Sequence, residues 1–566
     1  MSPFNRRTFI KVGSVLSLPL LLPTTKLKAG FLNSFITSPE ESAETEWKIL
    51  NKISYGPKRE ELLRLKKIGL EKYLEEQLNA PLEDDKNIQQ RLSALKLDIK
   101  YQYNGYNVDE KRCLRFLDMS IPECRKHFES IKEKGWHEWI RPAMEVASAN
   151  WIKAVYSKWQ IHEMMVEFWH NHFNVTINAN MEIGSCIPSY DRDVIRKNVF
   201  GNFRVFLEDV AKSPAMLYYL NNKASQASPA NENYARELFE LHTLGEEHYF
   251  NNLYDKWRDV PGALEGKPVG YIDEDVYEAA RAFTGWTIAD GSSTWRSGVK
   301  EDFPDSGEFY YFDGFHDNYQ KRVLGYEIKS NQPPMADGKD VLDLLAAHPG
   351  TAKHLCRKII KRFLGDTYPD SLLQKAQDTW MKNLDHPHQI KLTLETIFKS
   401  DEFLHFENVK VKRPYEFVVS IARLTNSEFT PNMMLHWITS SLGYKPLMWP
   451  SPAGPPDKDT YWMGPGAMLR RWKAVGTILY WKEFEVFKFD FTGNTPQGLS
   501  HEQILDHWSE RITGKKIKKE YREEIIKIFA EGKNPQNIPM LSRAEMEPRL
   551  ISLAQFLFST PEFQIR

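Results

Sequence analysis

Cysteine is scarce in this sequence. Cys113, Cys124, Cys186 and Cys356 are the only four among 566 residues. None of them forms a CxxC or CxxCH pattern, so the usual marks of a zinc ribbon and of a c-type haem site are missing. In an oxidising compartment Cys113 and Cys124 would be able to pair across a short loop. The sequence does not decide between a disulfide and two thiols.

An excess of charge and long apolar runs are also missing. The formal net charge is −1, whereas a general binder of nucleic acids or anionic membranes needs a basic excess. No segment reaches the roughly 20 apolar residues with which a helix crosses a bilayer. Apolar residues make up 41% and charged residues 27%, which is typical of a soluble globular protein. The length predicts two to four domains, or one large helical body.

Several catalytic motifs are absent as well. The sequence contains no G-x-S-x-G, Walker A, G-x-G-x-x-G or H-E-x-x-H pattern. Serine esterase, P-loop and zincin functions therefore lack their usual support.

The N-terminal stretch NRRTFIKVGSVLSLPLLLP resembles a twin-arginine export signal. Arg6 and Arg7 precede a Phe and a Lys at the usual spacing. The apolar part that follows is too short to span a bilayer, and Ala29 offers a small-residue cleavage site. We predict an export signal over residues 1–29. The mature protein is then expected in the periplasm or outside the cell, without a stable membrane anchor.

Apolar residues recur at helical spacing along most of the chain, and strand-like alternation is scarce. Residues 59–78 predict one helix broken by Gly69, and residues 149–173 predict a single long amphipathic helix. Residues 231–244 predict a helix that stops at Gly245. We therefore expect a mainly α protein, a large multi-helix globular body with long loops and at most short β-hairpins.

We divide the mature chain into two helical regions that pack together as one body. Residues 30–340 carry the candidate site, and residues 341–566 form the C-terminal region. Residues 290–315 are rich in Gly, Ser, Asp and aromatics and could hold a short hairpin. Leu447–Gly466 combines five prolines with two tryptophans, which is compatible with a wall of a cleft or with a cover over a core edge.

The first candidate cluster lies around FWHNHFNV. Glu163, Glu167 and His170 share one helix face, and Glu167 and His170 have the E-x-x-H spacing of helical di-iron carboxylate proteins. His172 lies about 200° around an ideal helix from His170. The two histidines meet one site only if the helix ends or distorts near Asn174. The alternatives are a metal or catalytic site, or buried histidines with hydrogen-bonding and capping roles.

The second candidate cluster is NENYARELFELHTLG. Glu237 and Glu240 share a face, Arg236 can pair with Glu240, and His242 falls in the last turn. Apolar residues cover much of the circumference, so some of these charges must be partly buried, and buried charge requires a partner or a metal. A salt-bridged surface helix with a capping histidine is the alternative.

The third candidate cluster is the pair His316 and Asp317 in FHDNYQKRVLG, which follows an aromatic run. An adjacent histidine and aspartate on a loop can ligate a metal or form a His–carboxylate dyad. A pair of ordinary turn residues is the alternative.

These clusters, in this order, resemble the bacterial family catalogued as DUF 1800. The resemblance rests on MVEFWHNHFNV, NENYARELFELHTLG, AARAFTGWTI, FHDNYQKRVLG, HPGTAKHLCRKIIKRFLGD and VKRPYEFVVSIARL, and it covers roughly residues 47–566. The segment from Glu246 to Gly270 departs from the family pattern, in which a strand-like Tyr-Thr segment follows the glycine.

The resemblance implies an exported protein encoded beside an exported phosphatase- or sulfatase-like protein, which would be its partner. The family's motif positions correspond here to His170, Asn171, His172, Asn231, Glu232, Asn233, Arg236, Glu237, Glu240, His242, His316 and Asp317.

We predict an exported metal-dependent enzyme, a hydrolase or an oxidoreductase. The expected ligands of a divalent metal of open identity are His170, His172, His242, His316 and Glu167. Glu237, Glu240, Arg236 and Asp317 are the expected catalytic groups, supported by Asn171, Asn231, Glu232 and Asn233. The rival hypothesis is a non-catalytic envelope scaffold, or a glycan-binding partner of the phosphatase-like protein, in which these side chains form a closed structural network.

Overall fold

The computed structural model describes residues 45–296, 299–407, 410–481 and 485–566. This part of the chain is mainly α, which confirms the predicted fold class. Its α-helices are α1 (Thr45–Ile53), α2 (Arg59–Ile68), α3 (Leu70–Gln77), α4 (Lys86–Ala94), α5 (Ile121–Ile131), α6 (Trp136–Trp139), α7 (Arg141–Tyr156), α8 (Gln160–His172), α9 (Ile183–Ser189), α10 (Phe203–Lys212), α11 (Pro214–Tyr219), α12 (Glu232–Glu237), α13 (Asp273–Ala282), α14 (Ala336–Ala347), α15 (Pro349–Leu364), α16 (Asp370–Lys382), α17 (Gln389–Phe398), α18 (Asp401–His405), α19 (Pro414–Thr425), α20 (Met433–Ser441), α21 (Asp459–Trp462), α22 (Pro465–Tyr480), α23 (His501–Thr513), α24 (Lys519–Phe529), α25 (Arg543–Ser559) and α26 (Pro561–Gln564).

The strands form only two-stranded antiparallel pairs within the described residues. They are β1 (Lys96–Tyr103) with β2 (Tyr106–Cys113), β3 (Trp286–Asp290) with β6 (Asp305–Tyr311), β4 (Ser293–Arg296) with β5 (Val299–Asp302), β7 (Lys321–Val323) with β8 (Tyr326–Ile328), and β9 (Glu428–Phe429) with β10 (Phe487–Lys488). The segment 290–315 thus contains the short hairpin that its composition suggests.

The described residues, from residue 45 onward, form one compact unit. The boundary that we place between residues 340 and 341 falls inside helix α14. The predicted export signal, residues 1–29, lies outside the described residues. No helix in the described ranges is long and apolar enough to cross a membrane. All four cysteines are free thiols, so Cys113 and Cys124 are not paired.

Two helix predictions have different outcomes. Gly69 separates α2 from α3 as predicted, and it does so with φ +80°, a backbone conformation that favours glycine. The single helix predicted over residues 149–173 is wrong, because the chain forms α7 and α8 with a break between them. Ser157 takes an extended conformation there, and its hydroxyl accepts a hydrogen bond from Trp159 N at 3.0 Å. A serine side chain that binds nearby backbone competes in this way with the helical ladder.

Helix α8 lies in the centre of the core. Ile161, Met164 and Trp169 are fully buried on it, but Glu163 and His170 are buried too. Because a helix that is buried on all sides cannot send its polar side chains to solvent, those side chains must find partners inside the protein.

Two π-helical turns accompany this core. Tyr190–Arg196 continues α9, and Leu238–His242 continues α12. The helix predicted over residues 231–244 therefore ends in a wider turn, and Gly245 follows with φ +88°. π-Helical turns are rare in proteins, and those that occur are often found at functional sites.

Candidate functional site

His170 and His172 point into different environments. Helix α8 remains helical through His172 and ends at Phe173, so the two imidazoles stay about 200° apart around the axis. His170 Nε2 donates to Asp191 Oδ1 at 2.8 Å, whereas His172 Nε2 donates to the carbonyl of His242 at 3.2 Å. The two histidines of FWHNHFNV therefore do not form a ligand pair for one ion.

His170 lines a small cavity of about 40 Å³. Helix α8 and the residues after it supply Glu163, Glu167, His170, Asn171 and Asn174, and the remaining lining includes Asn150, Arg196, Tyr415, Tyr444, Lys445 and Trp449. A cavity of this size has room for roughly two or three water molecules. It suits a water and a small reacting group.

A chain of buried charges surrounds His170. Asp191 accepts from His170 and, through Oδ2, from Arg196 Nε at 2.8 Å. The two guanidinium nitrogens Nη1 and Nη2 of Arg196 each lie 3.1 Å from a Glu163 oxygen. Asn150 bridges the group, since it donates to Asp191 at 3.1 Å and accepts from Arg196 at 2.7 Å. The Glu163 and Asp191 carboxylates both bind Arg196, and the His170 imidazole bonds to Asp191 at one end of this series of contacts.

The charges in this network shift one another's pKa values. Burial by itself would raise the pKa of Glu163, but the Arg196 guanidinium outweighs burial and lowers it to about 2. The pKa of Asp191 is lowered for the same reason, with Arg196 and His170 both acting against burial. The two carboxylates are therefore ionised throughout the physiological pH range, and Asp191 accepts from the His170 N–H.

The second ring nitrogen of His170, Nδ1, is not used in this network. His170 Nδ1 has no hydrogen-bond partner among the residues that the structure describes. With Nε2 donating to a carboxylate, the neutral imidazole carries its lone pair on Nδ1. The dyad thus presents a free basic nitrogen on a residue that lines the cavity.

Glu167 belongs to a second ion pair at the same cavity. Its Oε2 lies 2.9 Å from Arg362 Nη2, and its Oε1 accepts from Asn171 Nδ2 at 2.6 Å. Arg362 also pairs with Glu416, which Arg566 contacts at 3.2 Å. Glu167 and His170, the E-x-x-H pair of the sequence, line one cavity, but Glu167 already has an arginine beside it.

The proline- and tryptophan-rich segment walls this cavity. Asn174 Nδ2 donates to the carbonyls of Trp449 at 3.0 Å and Ser451 at 2.7 Å. Gly454 lies so close to the FWHNHFNV segment that a Cβ there would meet Asn171 O at 2.1 Å. Of the two roles that the sequence leaves open for residues 447–466, the structure shows the wall of a cleft for Leu447 and Trp449.

The second cluster divides into a surface part and a half-buried part. Asn231 caps α12 by accepting from Asn233 N at 3.0 Å, and Arg236 pairs with Glu232 at 3.1 Å. Arg236 therefore does not pair with Glu240. A second partner of Arg236 is Asp273, at 3.6 Å.

The side chains of Glu237 and Glu240 form no hydrogen bond or ion pair with another residue in the described ranges. Burial and then the nearby charge of Glu240 raise the pKa of Glu237 to about 7. The Glu237 charge in turn helps burial to raise the pKa of Tyr219 to about 12. Tyr219 donates to the carbonyl of Pro450 at 2.9 Å, on the loop that walls the cavity.

His242 and His172 form a buried histidine pair. Their ring centroids are 6.1 Å apart, and a third histidine, His354, lies 6.3 Å from His172. Neither ring nitrogen of His242 has a hydrogen-bond partner among the described protein atoms, although the residue is fully buried. Burial, followed by the Lys358 charge, lowers the pKa of His242 to about 3. This pair is neutral and separate from the His170–Asp191 dyad.

The third cluster forms a separate network of contacts. His316 Nδ1 donates to the carbonyl of Thr284 at 2.9 Å, and its Nε2 lies 3.2 Å from Asp337 Oδ2. Asp317 accepts from Arg281 at 2.8 Å and 3.1 Å. None of these partners lines the His170 cavity. The single site that we predict from His170, His172, Glu237, Glu240, His242, His316 and Asp317 is therefore not the observed arrangement.

Sequence reasoning missed the partners that give His170 its chemistry. Asp191, Arg196 and Asn150 lie in segments without a recognisable motif, and a turn of π-helix brings the first two to His170. The only available signal was the pair of opposite charges at i, i+5 in DRDVIR, which ordinary α-helical spacing would not bring together.

The comparisons with known proteins identify a family. The model of the family described as "Protein of unknown function (DUF1800)" matches residues 48–565. A search of curated proteins and a search of solved structures found no match.

Proposed function

We propose that this chain, which belongs to the DUF1800 family of proteins of unknown function, is an exported hydrolase whose catalytic base is His170. The observation that carries the proposal is the 2.8 Å hydrogen bond from His170 Nε2 to Asp191, beside a cavity with room for water. A carboxylate that holds one nitrogen of an imidazole fixes its tautomer and raises the basicity of the other nitrogen.

In this proposal a water molecule in the cavity gives a proton to His170 Nδ1 as it attacks the substrate. The imidazolium that forms is stabilised by Asp191, whose charge is maintained by Arg196. His170 then returns the proton to the leaving group. Glu163 and Asn150 also line the cavity, but their polar atoms are bonded to Arg196 and Asp191, so they act as positioning residues.

A divalent metal at His170 is an alternative to the general base, because the lone pair of Nδ1 cannot both ligate an ion and accept a proton. His170 Nδ1 and Glu167 would hold such an ion, with Glu167 using Oε2, which lies beside Arg362 but accepts no hydrogen bond. Among the described residues no group of three His, Cys, Asp or Glu side chains is arranged to hold a metal, so water or substrate would complete the shell. Bound there, the ion would supply Lewis-acid activation of water or, if redox-active, oxidation chemistry.

Export by the twin-arginine pathway, a periplasmic or extracellular location and a phosphatase- or sulfatase-like partner also belong to the proposal. They rest on residues 1–29 and on the family resemblance. Cleavage before Gly30 and accumulation outside the inner membrane, both lost when Arg6 and Arg7 become lysines, are the expected results.

A non-catalytic scaffold is the second candidate, and one observation favours it. His316 pairs with Asp337 and Asp317 pairs with Arg281, as the side chains of a structural network would. His170 differs from His316, because His170 Nδ1 has no hydrogen-bond partner among the described residues.

The test compares the wild-type protein with His170→Ala and His348→Ala. His348 is the matched control: it is as buried as His170, at 9% exposure, and both of its nitrogens have backbone partners. The proteins are exported natively, analysed for metal by mass spectrometry, and assayed with and without chelator on chromogenic carboxylate, phosphate, sulfate and glycoside esters.

The proposal predicts hydrolysis by the wild type and His348→Ala, and a loss of at least about a hundredfold in His170→Ala. A metal that is present in the wild type and absent from His170→Ala supports the metal alternative and argues against His170 Nδ1 as the proton acceptor. Hydrolysis that is unchanged in a folded His170→Ala, or absent from the wild type across these substrates, contradicts the proposal.

A further inference from the structure

Three neighbouring helices expose large apolar side chains on the surface of the protein. Trp437 of α20 is 51% exposed, and Leu469 and Trp472 of α22 are 50% and 43% exposed. We call the α22 face the exposed side chains of Met433, Trp437, Leu469, Trp472, Tyr480 and Phe556. Isolated apolar side chains on a surface need no explanation, whereas a group of them on adjacent elements marks a site of interaction.

Contacts between the helices make the α22 face one surface. The Trp437 ring stacks on Trp481, just after α22, with centroids 6.0 Å apart. On the other side of α22, Tyr480 donates to Gln555 of α25 at 3.0 Å, and Trp472 Nε1 donates to the Ser559 carbonyl at 3.2 Å. The aromatic rings are therefore held in place by the helices beneath them.

Every charged residue of α20, α22 and residues 550–559 is basic. Helices α20 and α22 contain no aspartate or glutamate, and residues 550–559 of α25 contain no charged residue. Arg470 and Lys473 are exposed on α22, and neither forms an ion pair with another described residue. The net charge of the whole chain is −1, so this local excess of positive charge is not a general property of the protein.

From this combination we propose that the α22 face binds the surface of an anionic phospholipid bilayer. Tryptophan and tyrosine prefer the interface between headgroups and acyl chains, where an apolar ring and a polar N–H or O–H are both satisfied. Basic side chains beside them are attracted to anionic headgroups.

Two features favour a bilayer over other possible binding partners of the α22 face. The binding is peripheral, because it uses aromatic rings that are already fixed on the folded surface. A deep apolar groove, as for a partner helix, is not required, because the rings project from helices rather than line a cleft. The surface would hold a hydrolase at the membrane, but it does not depend on the hydrolase proposal.

The experiment is co-sedimentation of the full mature protein with vesicles. One set contains phosphatidylglycerol and phosphatidylethanolamine, and the other contains phosphatidylcholine alone. Two variants remove the proposed contacts: Trp437→Ser/Trp472→Ser and Arg470→Glu/Lys473→Glu. Two matched controls change the exposed Trp295, at 71% exposure, to Ser, and the exposed Lys72 and Lys329 to Glu.

We expect the wild type and both controls to bind the anionic vesicles and not the phosphatidylcholine vesicles. The charge variant is expected to bind roughly thirtyfold more weakly or worse, and the aromatic variant at least about tenfold more weakly. Absence of binding to anionic vesicles, or equal binding by the variants and the controls, overturns the proposal. Because no arm measures turnover, failure here is distinguishable from failure of the hydrolase proposal.

Discussion

His170 Nε2 and Asp191 Oδ1 are 2.8 Å apart, and both residues are buried. Asp191 uses its other oxygen to hold Arg196, which also holds Glu163. The network thereby orients the His170 imidazole, and both of its carboxylates, Asp191 and Glu163, are paired with Arg196. The His170 ring is left with one nitrogen for chemistry, and the stability of the network can be measured separately from that chemistry.

Replacement of Asp191 tests the energy of the network. Asp191→Ala leaves Arg196 and His170 without a shared partner in a buried position, and we expect the free energy of unfolding to fall by about 3–5 kcal/mol. Asp193→Ala is the control two residues away, because Asp193 pairs with Arg192 at the surface, where a pair contributes about 1 kcal/mol or less. Urea unfolding measures both, and equal effects would show that the network does not stabilise the fold.

Glu163 predicts a dependence of stability on acid. Its pKa is lowered to about 2 in the folded protein, so its contribution is full above its unfolded pKa of about 4.5 and is lost as pH falls toward 2. The shift corresponds to ~3 kcal/mol. Glu163→Gln should therefore be destabilised at pH 7 and approach the wild type as pH falls through this window. A difference that stays constant with pH would refute the assignment.

The lowered pKa of His242 predicts a second pH range in which the stability of the fold changes. Its folded pKa is about 3, below the unfolded value of about 6.5, so the unfolded chain binds the proton more readily. This contribution is full above pH 6.5 and is lost as pH falls toward 3, by ~5 kcal/mol. His242→Leu should flatten that part of the stability profile, whereas His405→Leu, at an exposed position, should leave it unchanged. The idea fails if His242→Leu keeps the wild-type profile.

Gly454 predicts that the cavity wall is sterically fixed. Gly454→Ala places a Cβ 2.1 Å from Asn171 O at φ +71°, whereas Gly443→Ala has φ +85° with nothing within 4 Å. Both variants carry the backbone cost of about 1 kcal/mol, but only the first must also displace the wall. We expect Gly454→Ala to be the less stable by thermal unfolding. Equal stabilities would show that the wall moves freely.

The fold class was predictable because helical periodicity runs through most of the chain. The break between α7 and α8 was not, since it depends on one serine hydroxyl that accepts from Trp159 N rather than on a glycine or proline. The break at Gly69 was predictable by contrast, because glycine favours the positive φ that the backbone adopts there.

The candidate site was predictable only in part. Helical spacing correctly placed Glu167 and His170 on one side of α8, and both line the cavity. The partner Asp191 lies on a π-helical turn, and no spacing rule for α-helices connects it to His170. Nothing in the sequence distinguishes His316, whose two ring nitrogens both have partners, from a histidine with a free nitrogen, because hydrogen-bond partners are a property of the folded structure.

The most direct test of the central claim is chemical rescue of His170→Gly. The variant removes the imidazole and enlarges the cavity beside Asp191, and its hydrolysis rate on a substrate of the wild type is measured with increasing concentrations of free imidazole. The account predicts that imidazole restores part of the lost rate in this variant and does not accelerate Asp191→Ala/His170→Gly to the same extent. A correctly folded His170→Gly that keeps the wild-type rate, or that imidazole does not rescue, would contradict a role for His170 as the base.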